Sequence, residues 1–205
     1  MNLLTHDPPT ELEIGGVFYP IDAHYRNGLV ILEAFEDVEL TRGEQFSVML
    51  KRLFTGVPGH PEAAIPPDEE AAARAAIDFL NCGEALTVSK GGPTYSFTQD
   101  AKYIRSAIEK SHRINLEEVG FLHWWKFIYM FFDLDEDCFL SRLMDLRSRK
   151  KKNNLSKEEK AWANEHPELF HLPRRETVAD QELEDEIDAR YKAAIAKRKG
   201  GGLIG

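Results

Sequence analysis

"LHWWKFIYMFF", residues Leu122 to Phe132, decides the fold, because it packs two tryptophans, three phenylalanines and a tyrosine into eleven residues of an acidic chain. A membrane span, a ligand box, a base-stacking surface and a buried helix would each leave such a mark. The apolar window from Val119 to Leu134 is shorter than the roughly 20 residues a spanning helix needs, and His123 and Lys126 interrupt it. On a helix its polar positions, His123, Lys126, Asp133 and Asp137, fall near one narrow stripe. A helix apolar on nearly every other face belongs in the middle of a domain. Trp124 and Trp125 diverge by about 100° on such a helix, so they do not build one ring-lined slot together.

The 205 residues carry a formal charge of −9, with 42% apolar and 30% charged positions. That length supports one compact domain of ordinary size, and the composition is that of a folded chain with a well-charged surface. Phosphate neutralisation needs a Lys/Arg excess, so nucleic acid is not the expected partner. Cys82 and Cys138 lie far apart outside any CxxC pattern, which suggests two reduced thiols rather than a disulfide framework or a zinc site. The N-terminal stretch lacks a basic segment followed by a long apolar one, so no secretory signal is expected.

Local signals along the chain are mostly helical. "ELEIGGVFYPI" reads as a hairpin, with Leu12 and Ile14 alternating with polar residues and Gly15-Gly16 supplying the turn. Leu29 to Leu40 reads as a helix. Thr41 with Glu44 is a capping box for a second helix ending at Gly56. Pro67, Asp68, Glu69 and Glu70 open a third, alanine-rich helix that Gly83 closes. A turn is expected around Gly91-Gly92-Pro93, and then a helix from Thr98 with Ala101, Ile104 and Ile108 on one stripe. Asn115 and Glu118 read as the N-cap pattern ahead of the aromatic segment. Phe139, Leu143 and Leu146 mark a further helix with a basic end, and Ser156 with Glu159 caps another that Pro167 stops. From Arg174 the chain is highly charged, acidic early and basic late, with a thin apolar seam of Leu183, Ile187, Tyr191 and Ile195.

Chemistry-bearing motifs are scarce. Asp133, Asp135 and Asp137 are spaced like the first ligands of a calcium loop, but Cys138 stands where Gly is needed and Met144 where a bidentate Glu is needed. No phosphate-cradling glycine pattern and no nucleophile elbow occurs. His123 reads as a hydrogen-bonded core or boundary residue rather than a general base. "RSRKKKNN", Arg147 to Asn154, is the one basic cluster, either a solvated helix end or a patch for an acidic partner.

"FTQDAKYIRSAIEKSHRINLEEVGFLHWWKF", the acidic turn after it, "FLSRLMDLRSRKK" and "LFHLP" together resemble the bacteriophage gene-product-fifteen family, most clearly from Phe97 to Pro173. The resemblance implies a mainly helical, non-enzymatic tail assembly chaperone without a cofactor or metal, acting in the host cell cytoplasm. Its implied partners are the tape measure protein and tail-tube subunits, with self-association left open and no membrane. The alternative is a structural minor tail or completion protein retained in the virion.

The expectation is therefore a mainly α-helical domain over residues 1–173 with a small N-terminal hairpin, and a charged helical tail over 174–205. Trp124, Trp125, Phe127, Phe131 and Phe132 are the expected core. Leu183, Ile187, Tyr191 and Ile195 are the candidate partner seam, with Arg147, Arg149, Lys150, Lys151 and Lys152 as a steering patch.

Overall fold

The computed structural model describes residues 3–84 and 92–172. The turn expected at Gly91-Gly92-Pro93 falls partly outside them, and the tail beyond residue 173, with its seam of Leu183, Ile187, Tyr191 and Ile195, wholly so. The protein is mainly helical. A hairpin of β1 (Glu11–Ile14) and β2 (Val17–Pro20) is followed by α1 (Tyr25–Glu36), α2 (Arg42–Phe54), α3 (Glu69–Leu80), α4 (Ala101–His112), α5 (Trp124–Phe132), α6 (Phe139–Lys151), α7 (Lys157–Glu165) and the single turn α8 (Pro167–Phe170).

The hairpin forms where Gly15 and Gly16 take φ of 61° and 82°, the left-handed conformations that a two-residue turn demands. Ile14 then pairs with Val17 and Glu11 with Pro20. A two-stranded sheet is marginal alone, and this one packs through β1 on α3. The capping boxes at Thr41/Glu44 and Ser156/Glu159 form as read, each side chain closing on the other's backbone N–H.

Three helix starts differ from the sequence reading, and two of them belong to histidines. α1 begins at Tyr25 rather than Leu29, because His24 Nδ1 accepts the Arg26 N–H at 3.1 Å. α5 begins at Trp124 rather than a turn after Asn115, because His123 Nδ1 accepts the Trp125 N–H at 3.0 Å. Asn115 instead turns the chain locally by accepting from Glu117 N at 2.9 Å. The two caps are bound to each other: Tyr25 N donates to Leu122 O and Trp124 N to Ala23 O, both at 2.8 Å, so His24 and His123 face across an antiparallel bridge. α1 and α5 thus start side by side.

α5 is the centre of the core. Trp124 is 1% exposed, and Trp125, Phe127 and Phe131 are also buried. The indoles leave α5 in different directions, Trp124 toward Phe97 and Phe127, and Trp125 toward Phe79 and His123. Their N–H groups nevertheless meet neighbouring acceptors: Trp124 Nε1 donates to Leu80 O at 2.9 Å and Trp125 Nε1 to Phe79 O at 2.7 Å. These are carbonyls of the last turn of α3, where helices leave acceptors unsatisfied; Phe79 O also accepts from Cys82 N at 3.0 Å, so the Trp125 indole is an additional donor there. The close approach of α1 requires Gly28, where a Cβ would lie 2.3 Å from Trp124 Cε3. Phe132 departs from the expected core, since it is 67% exposed. It follows Phe131 by one residue, and the 100° step that sends Phe131 onto Tyr95 and Phe97 sends Phe132 outward.

The second anchor is a buried ion pair. Arg147 on α6 grips Asp100 with two N–H groups, at 2.6 and 2.9 Å, and both side chains are essentially inaccessible. Asp100 also accepts from Ser96 N at 3.0 Å, while Arg147 donates to Thr94 O at 3.0 Å and Leu169 O at 2.7 Å. One guanidinium therefore holds the entry to α4, the preceding loop and α8. α4 starts at Ala101, three residues after the expected Thr98, whose hydroxyl is committed to Glu36 at the end of α1, at 2.7 Å.

Removing one member leaves the other charged and buried without compensation. Asp100→Ala is expected to lose about 3 to 5 kcal/mol in urea unfolding, and the double variant Asp100→Leu/Arg147→Met to lose clearly less than Asp100→Ala alone. A double variant as unstable as the single one would contradict this.

Candidate functional site

Among the described residues no three His, Cys, Asp or Glu side chains gather as a metal-holding cluster. Of the acidic turn, Asp137 lies 3.9 Å from Lys110 Nζ, and Asp135 N donates to Ser111 Oγ at 3.0 Å. His123 has both ring nitrogens committed. Because Nδ1 accepts from Trp125 N, the neutral ring carries its proton on Nε2 and donates it to Pro9 O at 2.9 Å. Burial holds its pKa below the ordinary 6.5, against the opposing pull of the Pro9 carbonyl. Cys82, buried near Glu84, has its thiol pushed up to about 12 and stays protonated.

The basic end of α6 is largely internal wiring. Arg147 cannot steer a partner, because it is buried against Asp100; five basic residues in six positions had read as one solvated face. Arg149 is held by Asp145 at 2.7 Å and by both oxygens of Glu159 at 2.8 and 2.5 Å, which clamps α7 to α6. The Arg149 guanidinium, with help from Ser156 N, holds the Glu159 carboxyl below its ordinary range. Lys150 Nζ sits 4.5 Å from the centre of the Phe170 ring, and Lys151 donates to the Pro93 carbonyl. Lys152 is exposed.

The surface feature best suited to holding another molecule lies elsewhere, between α1, α4, α5 and the chain leading into α5. It is a mainly apolar cleft of about 250 Å³, whose walls include Tyr25, Leu29, Ile104, Leu116 and Phe127. Tyr25 and Phe127 stack at 4.9 Å and 20° to form its floor. Arg26 and Arg105 stand at its edge. Arg105 is neutralised by Glu109 at 3.1 Å and Glu117 at 2.7 Å. Arg26 is fixed differently: its Nε donates to Tyr25 Oη at 3.0 Å and one Nη to Leu116 O at 2.9 Å, both uncharged acceptors.

None of these cleft residues stood out in the sequence as a site. Leu29, Ile104, Leu116 and Phe127 carry the same apolar pattern as the core they border, and Arg26 sits in the short stretch "AHYRNG" with no motif around it. Only the close start of α1 and α5, set by the bridge between their caps, brings them together. Among the described residues no helix is long and apolar enough to cross a membrane.

A family model described as Bacteriophage Gp15 protein matches residues 5–172 of the chain. No curated protein and no solved structure matches it.

The committed geometry of His123 has a pH consequence. Its pKa is depressed in the folded protein, so the unfolded chain takes up the proton first as pH falls. The stability it contributes is fully present above about 6.5 and is lost as pH drops below that value toward the folded pKa. Urea midpoints measured between pH 7.5 and 5 are expected to fall more steeply for the native chain than for His123→Asn, which keeps a capping oxygen but does not titrate. Parallel slopes would contradict the assignment.

Proposed function

Because the chain belongs to the family described as Bacteriophage Gp15 protein, we propose that it is a tail assembly chaperone, non-enzymatic and active in the host cell cytoplasm, that binds the tape measure protein and helps recruit tail-tube subunits. Family membership by itself implies a phage protein of structural, head–tail connector type that acts in a host cell during assembly. The finer reading is supported by one observation above the others, the open apolar cleft between α1, α4 and α5.

A tape measure protein is a long helical chain whose apolar stripes need temporary cover until the tube closes round them. An amphipathic helix laid against a cleft inserts side chains at three- and four-residue spacing. A cleft of about 250 Å³ is large enough for a leucine- or phenylalanine-sized group, and burying one contributes about 1.5 to 3 kcal/mol. Several weak insertions of this kind suit a chaperone, which must release its client.

A second reading, a structural minor tail or completion protein retained in the virion, is favoured by the connector-type character of the family. The two separate cleanly. Co-expression with the tape measure protein is expected to move that protein into the soluble fraction and to co-purify it on the tagged chain, and mass spectrometry of purified particles is expected to find the chain absent. A tape measure protein left in the pellet, or the chain present in particles at fixed stoichiometry, would overturn the chaperone reading in favour of the structural one.

A further inference from the structure

Resting on the reading that the cleft receives a helical tail protein, we propose that Arg26 makes the cleft selective for a helix in which a large apolar side chain is followed or preceded by a carboxylate one turn away.

The charge around the cleft carries this. Arg105 is spent on Glu109 and Glu117, but among the described residues no carboxylate lies within ion-pair distance of Arg26. Its guanidinium is nonetheless held in place, by Tyr25 Oη and Leu116 O, and lies 5.6 Å from the Tyr25 ring centre. Two of its five N–H groups are used in this way, which leaves three for a ligand, and Arg26 lines the apolar cavity. A pinned guanidinium has already lost its rotamer freedom, so an incoming carboxylate does not bear that cost. The chain as a whole is acidic, at a net −9. An acidic helix is therefore disfavoured over most of the surface and favoured here, and specificity comes from both terms.

Helix geometry fixes the spacing. Residues three or four apart share a face with Cβ atoms about 5 to 6 Å apart, so an anchor seated on the Tyr25–Phe127 floor brings its i±3 or i±4 neighbour to the rim where Arg26 stands. A carboxylate there receives a charge-assisted bond of the stronger kind. An apolar helix without an acid at that spacing fills the cavity and leaves Arg26 without its charge partner.

The test uses the full chain and overlapping synthetic peptides that tile the tape measure protein, with affinities measured by titration. Two variants change surface positions at the cleft: Arg26→Gln removes the charge, and Ala101→Trp places an indole over the mouth from the first residue of α4. Circular dichroism and urea unfolding establish that both fold.

The native chain is expected to bind peptides that carry a large apolar residue three or four positions from Asp or Glu. Arg26→Gln should weaken that binding about tenfold, Arg26→Lys should restore part of it, and Ala101→Trp should abolish it. Native-like binding by both folded variants would overturn the inference and leave the chaperone reading standing. Failure of the native chain to bind any peptide or the whole tape measure protein would remove both. Peptide binding indifferent to the acid, with Ala101→Trp still blocking it, would keep the cleft as a docking site and reject Arg26 as its selector.

Discussion

Two indole N–H groups on adjacent carbonyls are the constraint from which the rest of the helical packing follows. The last turn of α3 ends half-buried against α5, and a carbonyl left without a donor in such a place costs about 1 to 3 kcal/mol if it is buried. Trp124 supplies a donor to Leu80 O, and Trp125 adds a second donor to Phe79 O beside the Cys82 N–H, while their rings fill the space between α1 and α3. Because both come from the first turn of α5, the start of α5 is locked to the end of α3. The same solution recurs at α2, whose final carbonyls at Arg52 and Leu53 are taken by Asn27 Nδ2 at 2.9 Å and Asp22 N at 2.9 Å.

This arrangement separates integrity from recognition. The aromatic segment that dominates the sequence buries four of its six rings, Trp124, Trp125, Phe127 and Phe131, and spends its indole N–H groups on α3. What it contributes to the proposed docking cleft is its inner wall: the buried Tyr25–Phe127 stack at the bottom of the cavity where α1 and α5 begin together, with a fixed guanidinium beside it. The proposed docking cleft thus depends on the core around it. The basic end of α6 divides in the same way, since Arg147 and Arg149 bind the fold together and only its outermost lysines face solvent.

How far the sequence was legible follows from how local each signal is. The Gly15-Gly16 hairpin and the capping boxes at Thr41 and Ser156 are closed by residues within a few positions, and they form as read. The starts of α1 and α5 were missed because histidine caps a helix only when its ring is turned to the backbone. Here that depends on a bridge between segments distant in sequence. Arg147 was misread because its partner Asp100 is 47 residues away and nothing local marks either as buried. Phe132 shows the limit of reading an aromatic run as one core, since the last ring falls on the open side. The cleft was illegible for a related reason: its walls come from four segments whose residues look like ordinary core or ordinary surface until the helices are placed.

Hydrogen–deuterium exchange on the chain with and without co-purified tape measure protein tests most directly the proposed division between recognition at the cleft and structure in the aromatic helix. Slower exchange is expected in the first turns of α1 and α4 and at Leu116-Glu117, with α5 unchanged. Protection centred on residues 150–171, with the cleft segments exchanging as in the free chain, would contradict that division.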